Sequence, residues 1–273
     1  MIYTHNLQNY ICDLQKCKEV VYDALDSNNK EINGQYLLYK EYIELTYTLN
    51  RYPFISTIIL GVFILLSFLV SPKINPSSDT WLIQADYSAF LQINNLHYYS
   101  SFSQFMIWIT MYGREVVWSM AIILLFILGG WAGKKTAIVM TLAMMVLIPI
   151  GHLAKEIVVR PRPIIPKSYF ILAADSEYSF PSGHATIVSA GAVSTLALFR
   201  DSYKKLIISL ALSLEAALVC FSRVYVGGHY PLDILGGILL GIGIALLFIA
   251  VAKKLELIML SISKSVRKQK KKI

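Results

Sequence analysis

Leu232-Asp-Ile-Leu-Gly-Gly-Ile-Leu-Leu-Gly-Ile-Gly-Ile-Ala-Leu-Leu-Phe-Ile-Ala-Val-Ala252 runs for 21 residues with one charge, Asp233, near its start. Coiled as an α-helix it rises about 30 Å, the thickness of a bilayer's hydrocarbon core, where a helix is one of two structures that satisfy their own backbone hydrogen bonds. Five more apolar runs with at most one charge precede it: Phe54–Val70, Val116–Ala132, Thr136–Ala154, Ala185–Phe199 and Leu206–Phe221. The run ending at Phe199 is short unless Gly183 and His184 extend it. The expectation is an all-α, polytopic membrane protein built on a six-transmembrane-helix bundle. Composition agrees: 56% of the 273 residues are hydrophobic and 15% charged, against about 25% charged in a soluble domain. A mean hydropathy of +0.56 excludes both a water-soluble globule and a disordered chain.

Outside the runs the chain divides into three further stretches. Residues 1–53 carry mixed charge and place Ile11, Leu14, Val21 and Leu25 at helical spacing, the pattern of an amphipathic cytoplasmic helix. They hold no long apolar run, so no signal peptide is expected. Between Ser71 and Gly113, residues such as Trp81, Tyr87, Phe90, Phe102, Phe105, Trp108 and Tyr112 alternate with polar side chains. Amphipathic aromatics favour the headgroup level, so interfacial helices are expected in this first extracytoplasmic loop. Residues 54–252 then form the membrane domain and 253–273 a basic cytoplasmic tail. Cys12, Cys17 and Cys220 form neither an even disulfide set nor a metal-binding pair and read as structural.

The chain has 25 Lys and Arg against 17 Asp and Glu, a net charge of +8. These charges are not spread like a nucleic-acid footprint. Lys134 and Lys135 fall between runs two and three, Arg200, Lys204 and Lys205 between four and five, and eight basic residues follow Ala252. Cytoplasmic loops carry the excess of Lys and Arg, so this side and both termini are expected in the cytoplasm, with the cell membrane as the location. The opposite side holds Lys73 and Arg114 in the long first loop, Lys155, Arg160, Arg162 and Lys167 in the third, and Arg223 in the fifth. A positive cluster there opposes the topology rule and calls for a functional reason.

Three clusters on that side carry chemistry. Lys155 and Arg162, seven residues apart, hold two cations a short, rigid distance from each other where Pro161 and Pro163 break the helix. Ser179-Phe-Pro-Ser182-Gly183-His184-Ala-Thr186 opens the fourth helix. Ser182 reads as its N-cap, Gly183 lets backbone approach a ligand, and free amides at a helix start bind an anion such as phosphate. Ser222-Arg223 is followed by His229, Pro231 and Asp233, with Pro231 in the first turn of the sixth helix. Asp233, one turn after His229, is placed to accept the proton of one ring nitrogen, leaving the other free as a nucleophile. By helix parity all three clusters share one membrane face. Three cations, a helix start, two histidines and a carboxylate describe a phosphate site with chemistry attached.

Lys155 with Arg162-Pro163, Pro181-Ser182-Gly183-His184, and Ser222-Arg223 with His229 and Asp233 resemble, without departure, the three motifs of the type 2 phosphatidic acid phosphatase superfamily, which includes membrane lipid phosphatases, soluble acid phosphatases and vanadium haloperoxidases. The resemblance implies that His229 attacks phosphorus in line to give a phosphohistidine, with Asp233 stabilising its imidazole. It implies His184 as general acid toward the leaving oxygen and then as the base that activates water. Lys155, Arg162 and Arg223, with the amides around Ser182 and Gly183, would neutralise the phosphoryl oxygens. Fixed cations then do the work that Mg²⁺ does elsewhere, so no metal and no cofactor is expected.

A membrane-surface site walled by aromatics favours a lipid phosphate or diphosphate as substrate. Arg160 reads as a fourth cation able to grip a second phosphate, which favours a polyprenyl diphosphate over phosphatidate or phosphatidylglycerol phosphate. A phosphotransferase handing the phosphoryl group to a lipid is the neighbouring alternative. Glu215, inside the fifth run, is expected to have a partner within the bundle.

Overall fold

A computed structural model of the chain describes residues 51–76, 80–95, 100–163 and 178–270, with the side chains of the last helix as far as Glu256. The expected N-terminal amphipathic helix lies outside the described residues. Every regular element among the described residues is helical: α1 (Arg51–Val70), α2 (Trp81–Asn94), α3 (Ser100–Tyr112), a π-helical turn (Gly113–Val117), α4 (Trp118–Leu128), α5 (Gly130–Val158), α6 (Gly183–Leu198), α7 (Tyr203–Tyr225) and α8 (Pro231–Lys270).

Five stretches are long and apolar enough to cross a membrane: Arg51–Val70, Ser101–Leu128, Gly130–Val158, Tyr203–Tyr225 and Pro231–Glu256. They place large apolar side chains outward as well as inward, with Met145 and Ile148 of α5 about two-thirds exposed. Helices apolar all round belong in lipid. The protein is an integral membrane protein. Helix α6 is also apolar but has 16 residues, a rise of about 24 Å.

Two boundaries differ from the sequence expectation. The second span begins at Ser101, not Val116, because α3, the π turn and α4 form one rod. Its polar residues had disguised it as a mixed interfacial stretch; in the rod Met106 and Thr110 are buried while Phe105 and Trp108 face outward. Likewise Lys134 and Lys135 lie in the first turns of α5. The chain reverses earlier, at Gly129-Gly130, where Gly130 takes a φ of 62° that a side chain would oppose.

Helix α2 is docked by one stripe. Asp86, Phe90 and Asn94, four residues apart, are its buried side chains. Phe90 meets Tyr230 edge-on with ring centroids 5.3 Å apart, and the Asn94 amide donates to the Tyr225 carbonyl at 2.9 Å. Helix α6 lies against α8 through Gly237 and Gly241: a Cβ on Gly237 would stand 2.5 Å from the Ser182 carbonyl, and one on Gly241 2.3 Å from that of Thr186. Small residues four apart let two helices approach to backbone contact.

Glu215 has the partner expected of it: the Trp118 indole donates to its Oε2 at 2.8 Å. Its Oε1 would lie 2.8 Å from a Cβ on Gly113, so the carboxylate abuts the π turn. At the other end of the bundle Lys135 pairs with Glu256 at 2.8 Å, and Lys253 sits 4.8 Å over the Tyr52 ring. The beginnings of α1 and α5 and the Lys253 end of the last span therefore share one end of the unit Arg51–Glu256.

Candidate active site

Each sequence cluster occupies the end of a helix, and hydrogen bonds join every pair of clusters. Helix α5 stops at Val158, with Val159 in the left-handed region at φ 59°, ψ 34° and its N–H on the Lys155 carbonyl at 2.9 Å. That conformation is costly for a β-branched residue; here it turns the chain so that Arg160 is buried. The Ser179 N–H donates to the Arg160 carbonyl at 2.8 Å, joining the first cluster to the second. The Ser182 N–H donates to the Asp233 carbonyl at 3.0 Å, joining the second to the third. Arg162 Nη1 donates to the Gly228 carbonyl at 2.9 Å and stands 3.4 Å from His229 Nε2, joining the first to the third.

Helix α6 begins at Gly183, and its first intrahelical bond runs from the Thr186 N–H to the Ser182 carbonyl. The amides of Gly183, His184 and Ala185 precede that bond and are the orphan donors of a helix start. Ser182 occupies the N-cap position, but the capping expected of its side chain is not made: Oγ is buried with no hydrogen-bond partner. A buried hydroxyl left unbonded costs about 1–3 kcal/mol. Beside a row of free amides, such a group suits a bound oxyanion.

His229 is 2% exposed and Asp233 fully buried. His229 Nδ1 lies 3.6 Å from Asp233 Oδ2, a little beyond hydrogen-bond length, as free-enzyme contacts often are. Nε2 faces Arg162 Nη1 instead, and the hydrogen bond expected from Nδ1 to Asp233 is not made in this structure. Burial, opposed by Asp233, lowers the His229 pKa to about 4, and the charges of Arg223 and Arg162 push the same way. The imidazole is therefore neutral near pH 7. Lys155 and Arg223 are both buried, and Arg223 Nη1 donates to Thr110 Oγ1 at 3.1 Å.

Arg160 departs from its expected use. It is 5% exposed. Nη1 donates to Asp233 Oδ1 at 2.7 Å, Nη2 donates to Asp86 Oδ2 at 2.5 Å, and the guanidinium lies 4.4 Å over the Tyr230 ring. A guanidinium committed to two carboxylates has no fork left for a second phosphate. Arg114, in the π turn, was placed on this face by the sequence but given no part in the site. Its Nη1 lies 3.4 Å from His184 Nδ1 and would be 3.7 Å from a Cβ on Gly183. Arg114 also pairs with Glu115, and its side chain is about one-third exposed. Asp86 and Thr110 were missed. For Asp86 a signal existed: a carboxylate on the same helical stripe as Phe90 and Asn94.

The sequence pattern of the PAP2 superfamily matches residues 132–256. An undecaprenyl-diphosphatase of Sulfolobus acidocaldarius is 35% identical over 159 residues, covering 58% of this chain and 74% of that protein. The undecaprenyl-diphosphatase BcrC of Bacillus subtilis is 31% identical over 167 residues, covering 60% of this chain and 82% of its own length. Among solved structures, a transmembrane PAP2 type phosphatidylglycerolphosphate phosphatase from Bacillus subtilis superimposes with a TM-score of 0.55 at 23% identity, over 73% of this chain and 96% of that one. That superposition concerns the fold. With two relatives above 30% identity aligned over most of their lengths, and a site assembled from the three clusters, the chain belongs to the PAP2 superfamily.

Proposed function

We propose that the protein is a membrane-embedded lipid phosphatase that hydrolyses a polyprenyl diphosphate through a phosphohistidine. The observation that carries the reaction is the junction of a neutral histidine, His229, with a helix start that holds an unbonded hydroxyl, amid Lys155, Arg162 and Arg223. The His229 Nε2 lone pair forms the N–P bond as the bond from the terminal phosphorus to the bridging oxygen breaks. His184 gives its proton to that oxygen, and the lipid monophosphate leaves. His184 then takes a proton from water, which attacks phosphorus and releases inorganic phosphate, restoring His229. The cations, Ser182 Oγ and the amides of the α6 start stabilise charge on the equatorial oxygens without a metal.

The diphosphate reading rests on the relatives, two of which are named undecaprenyl-diphosphatases, and on Arg114. With Arg160 committed to two buried carboxylates, Arg114 is the candidate among the described residues for a second phosphate on the leaving-group side: its Nε and Nη2 donate to the half-exposed Glu115, and its Nη1 stands beside His184.

The topology follows from charge. Lys135 and Lys155 lie at opposite ends of α5, about 30 Å apart. The Lys135 end also carries Lys253 and the start of α1, so it is assigned to the cytoplasm, with the termini. Helix α6 is the sixth crossing, its short rise extended by Ser182 and Phe199. The site then faces the extracytoplasmic surface, where α2 and the outward aromatics of α3 lie at headgroup level.

The test is phosphate release by the purified chain in detergent from a long-chain polyprenyl diphosphate and from phosphatidate. The diphosphate should be preferred, and His229→Ala should be inactive. Equal or better turnover of phosphatidate would remove the diphosphate assignment; full activity in His229→Ala would remove the mechanism.

A further inference from the structure

We infer that Asp86 and Arg160 are positioning residues for the nucleophile, forming with Asp233 a buried chain of three charges whose net charge of −1 balances the positive imidazolium produced when His229 attacks phosphorus. The inference rests on the proposed role of His229. Neither Asp86 nor Arg160 is among the residues assigned to the reaction above.

The geometry is continuous. Arg160 divides its fork, donating to Asp233 Oδ1 at 2.7 Å and to Asp86 Oδ2 at 2.5 Å. The Leu232 N–H, at the start of α8, donates to Asp86 Oδ1 at 2.9 Å, and the Tyr230 N–H donates to Asp233 Oδ2 at 2.9 Å. With Oδ1 held by Arg160 and Oδ2 by the Tyr230 N–H, the Asp233 carboxylate is fixed in orientation, and Oδ2 faces His229 Nδ1 at 3.6 Å. All three charged side chains are nearly or fully buried, where charge interactions are strong.

The charge count explains why two carboxylates are present. An Arg160–Asp233 pair alone would carry no net charge, and Arg160 would offset much of what the Asp233 carboxylate offers the ring as Nε2 gives up its lone pair and the imidazole becomes cationic. Adding Asp86 restores one uncompensated negative charge without placing a second carboxylate against the histidine. Among the described residues, the other charged or titratable groups acting on His229 include Arg162 from the turn after α5, Arg223 from α7 and His184 from α6. The cations work against imidazolium formation, and among the described residues the balancing charge comes from the α2 side.

The experiment uses the full chain in detergent, with the rate of phosphohistidine formation from a diphosphate radiolabelled at its terminal phosphate, together with kcat, KM and vanadate affinity. Asp86→Asn keeps the shape and most hydrogen bonding but removes the charge. It should slow phosphohistidine formation and kcat by about tenfold or more, leave KM unchanged, weaken vanadate, whose bond to Nε2 makes the same cationic ring, and lower the midpoint at which His229 titrates. Asp86→Glu, which keeps the charge, should recover part of the rate. Phe90→Leu, on the same stripe, changes packing alone and should retain kcat. The inference is overturned if Asp86→Asn forms phosphohistidine at the wild-type rate, if its loss is confined to KM, if Phe90→Leu matches it, or if Asp86→Asn does not fold, which would assign Asp86 to stability. Absence of any phosphohistidine in the wild type is a different outcome: it removes the proposed role of His229 on which the inference stands.

Discussion

Replacing Gly237 with alanine would put a methyl group 2.5 Å from the Ser182 carbonyl, 2.9 Å from Ala185 Cβ and 3.1 Å from the Thr186 nitrogen. Ordinary contact begins at 3.4 Å, so α6 and α8 would have to separate by about 0.9 Å at this level, because close-packed interiors have little slack. The separation acts where Ser182 N–H meets the Asp233 carbonyl, between the helix start that carries His184 and the helix that carries Asp233. Misplacement by about 1 Å can cost about 100-fold in rate, and overpacking costs typically about 1–3 kcal/mol of stability. Gly237→Ala should therefore lose about 10- to 100-fold in kcat while the purified protein stays folded in detergent, with a lowered unfolding temperature. Gly61→Ala and Gly151→Ala are matched controls, since nothing lies within 4 Å of a Cβ at either position. The measurement is phosphate release alongside thermal unfolding for all three variants. Wild-type kcat in Gly237→Ala would refute a rigid glycine-set spacing, and equal losses in the controls would show that any added methyl group does the same damage.

Arg114→Ala should lose more activity toward a polyprenyl diphosphate than toward the corresponding monophosphate, by about tenfold; an equal loss on both would separate Arg114 from the second phosphate. With its folded pKa near 4, below the ordinary histidine value of 6.5, His229 stays neutral and reactive until the pH falls through about 4. The same shift means that the unfolded chain binds the proton first, so about 3 kcal/mol of stability is lost as pH falls from about 6.5 to about 4. Histidine NMR with His229→Ala to identify the resonance would test this, and a midpoint near 6.5 would contradict the burial argument. Glu215→Ala leaves the buried Trp118 N–H without its acceptor and should cost about 1–3 kcal/mol, read as a drop in unfolding temperature. Turnover should survive EDTA, whereas loss restored by Mg²⁺ would contradict the cation-only mechanism.

Apolar runs legible at single-residue resolution, such as Leu232–Ala252, translated directly into helices because the bilayer length and the absence of charge admit few alternatives. The start of the second span did not, since Ser101, Ser103, Gln104 and Thr110 dilute its hydropathy and only the assembled rod shows Thr110 turned inward. The three clusters were visible because each is short in sequence. Their mutual bonds were not, because they join residues such as Arg162 and Gly228 that lie far apart along the chain. Arg160 shows the limit most clearly: its place beside Arg162 suggested a phosphate ligand, while its environment is set by Asp86, 74 residues away.

Asp86, Thr110 and Arg114 all lie outside residues 132–256, the portion that carries the superfamily's pattern. Each touches a residue inside it: Arg160, Arg223 and His184 in turn. A chimera that grafted residues 132–256 onto a foreign amino-terminal half would preserve every signature residue and still lose three of the props behind them. Inactive natural or engineered members with intact signatures should accordingly be inspected first along α2 and the π turn, where the defect would sit out of sight of any signature search.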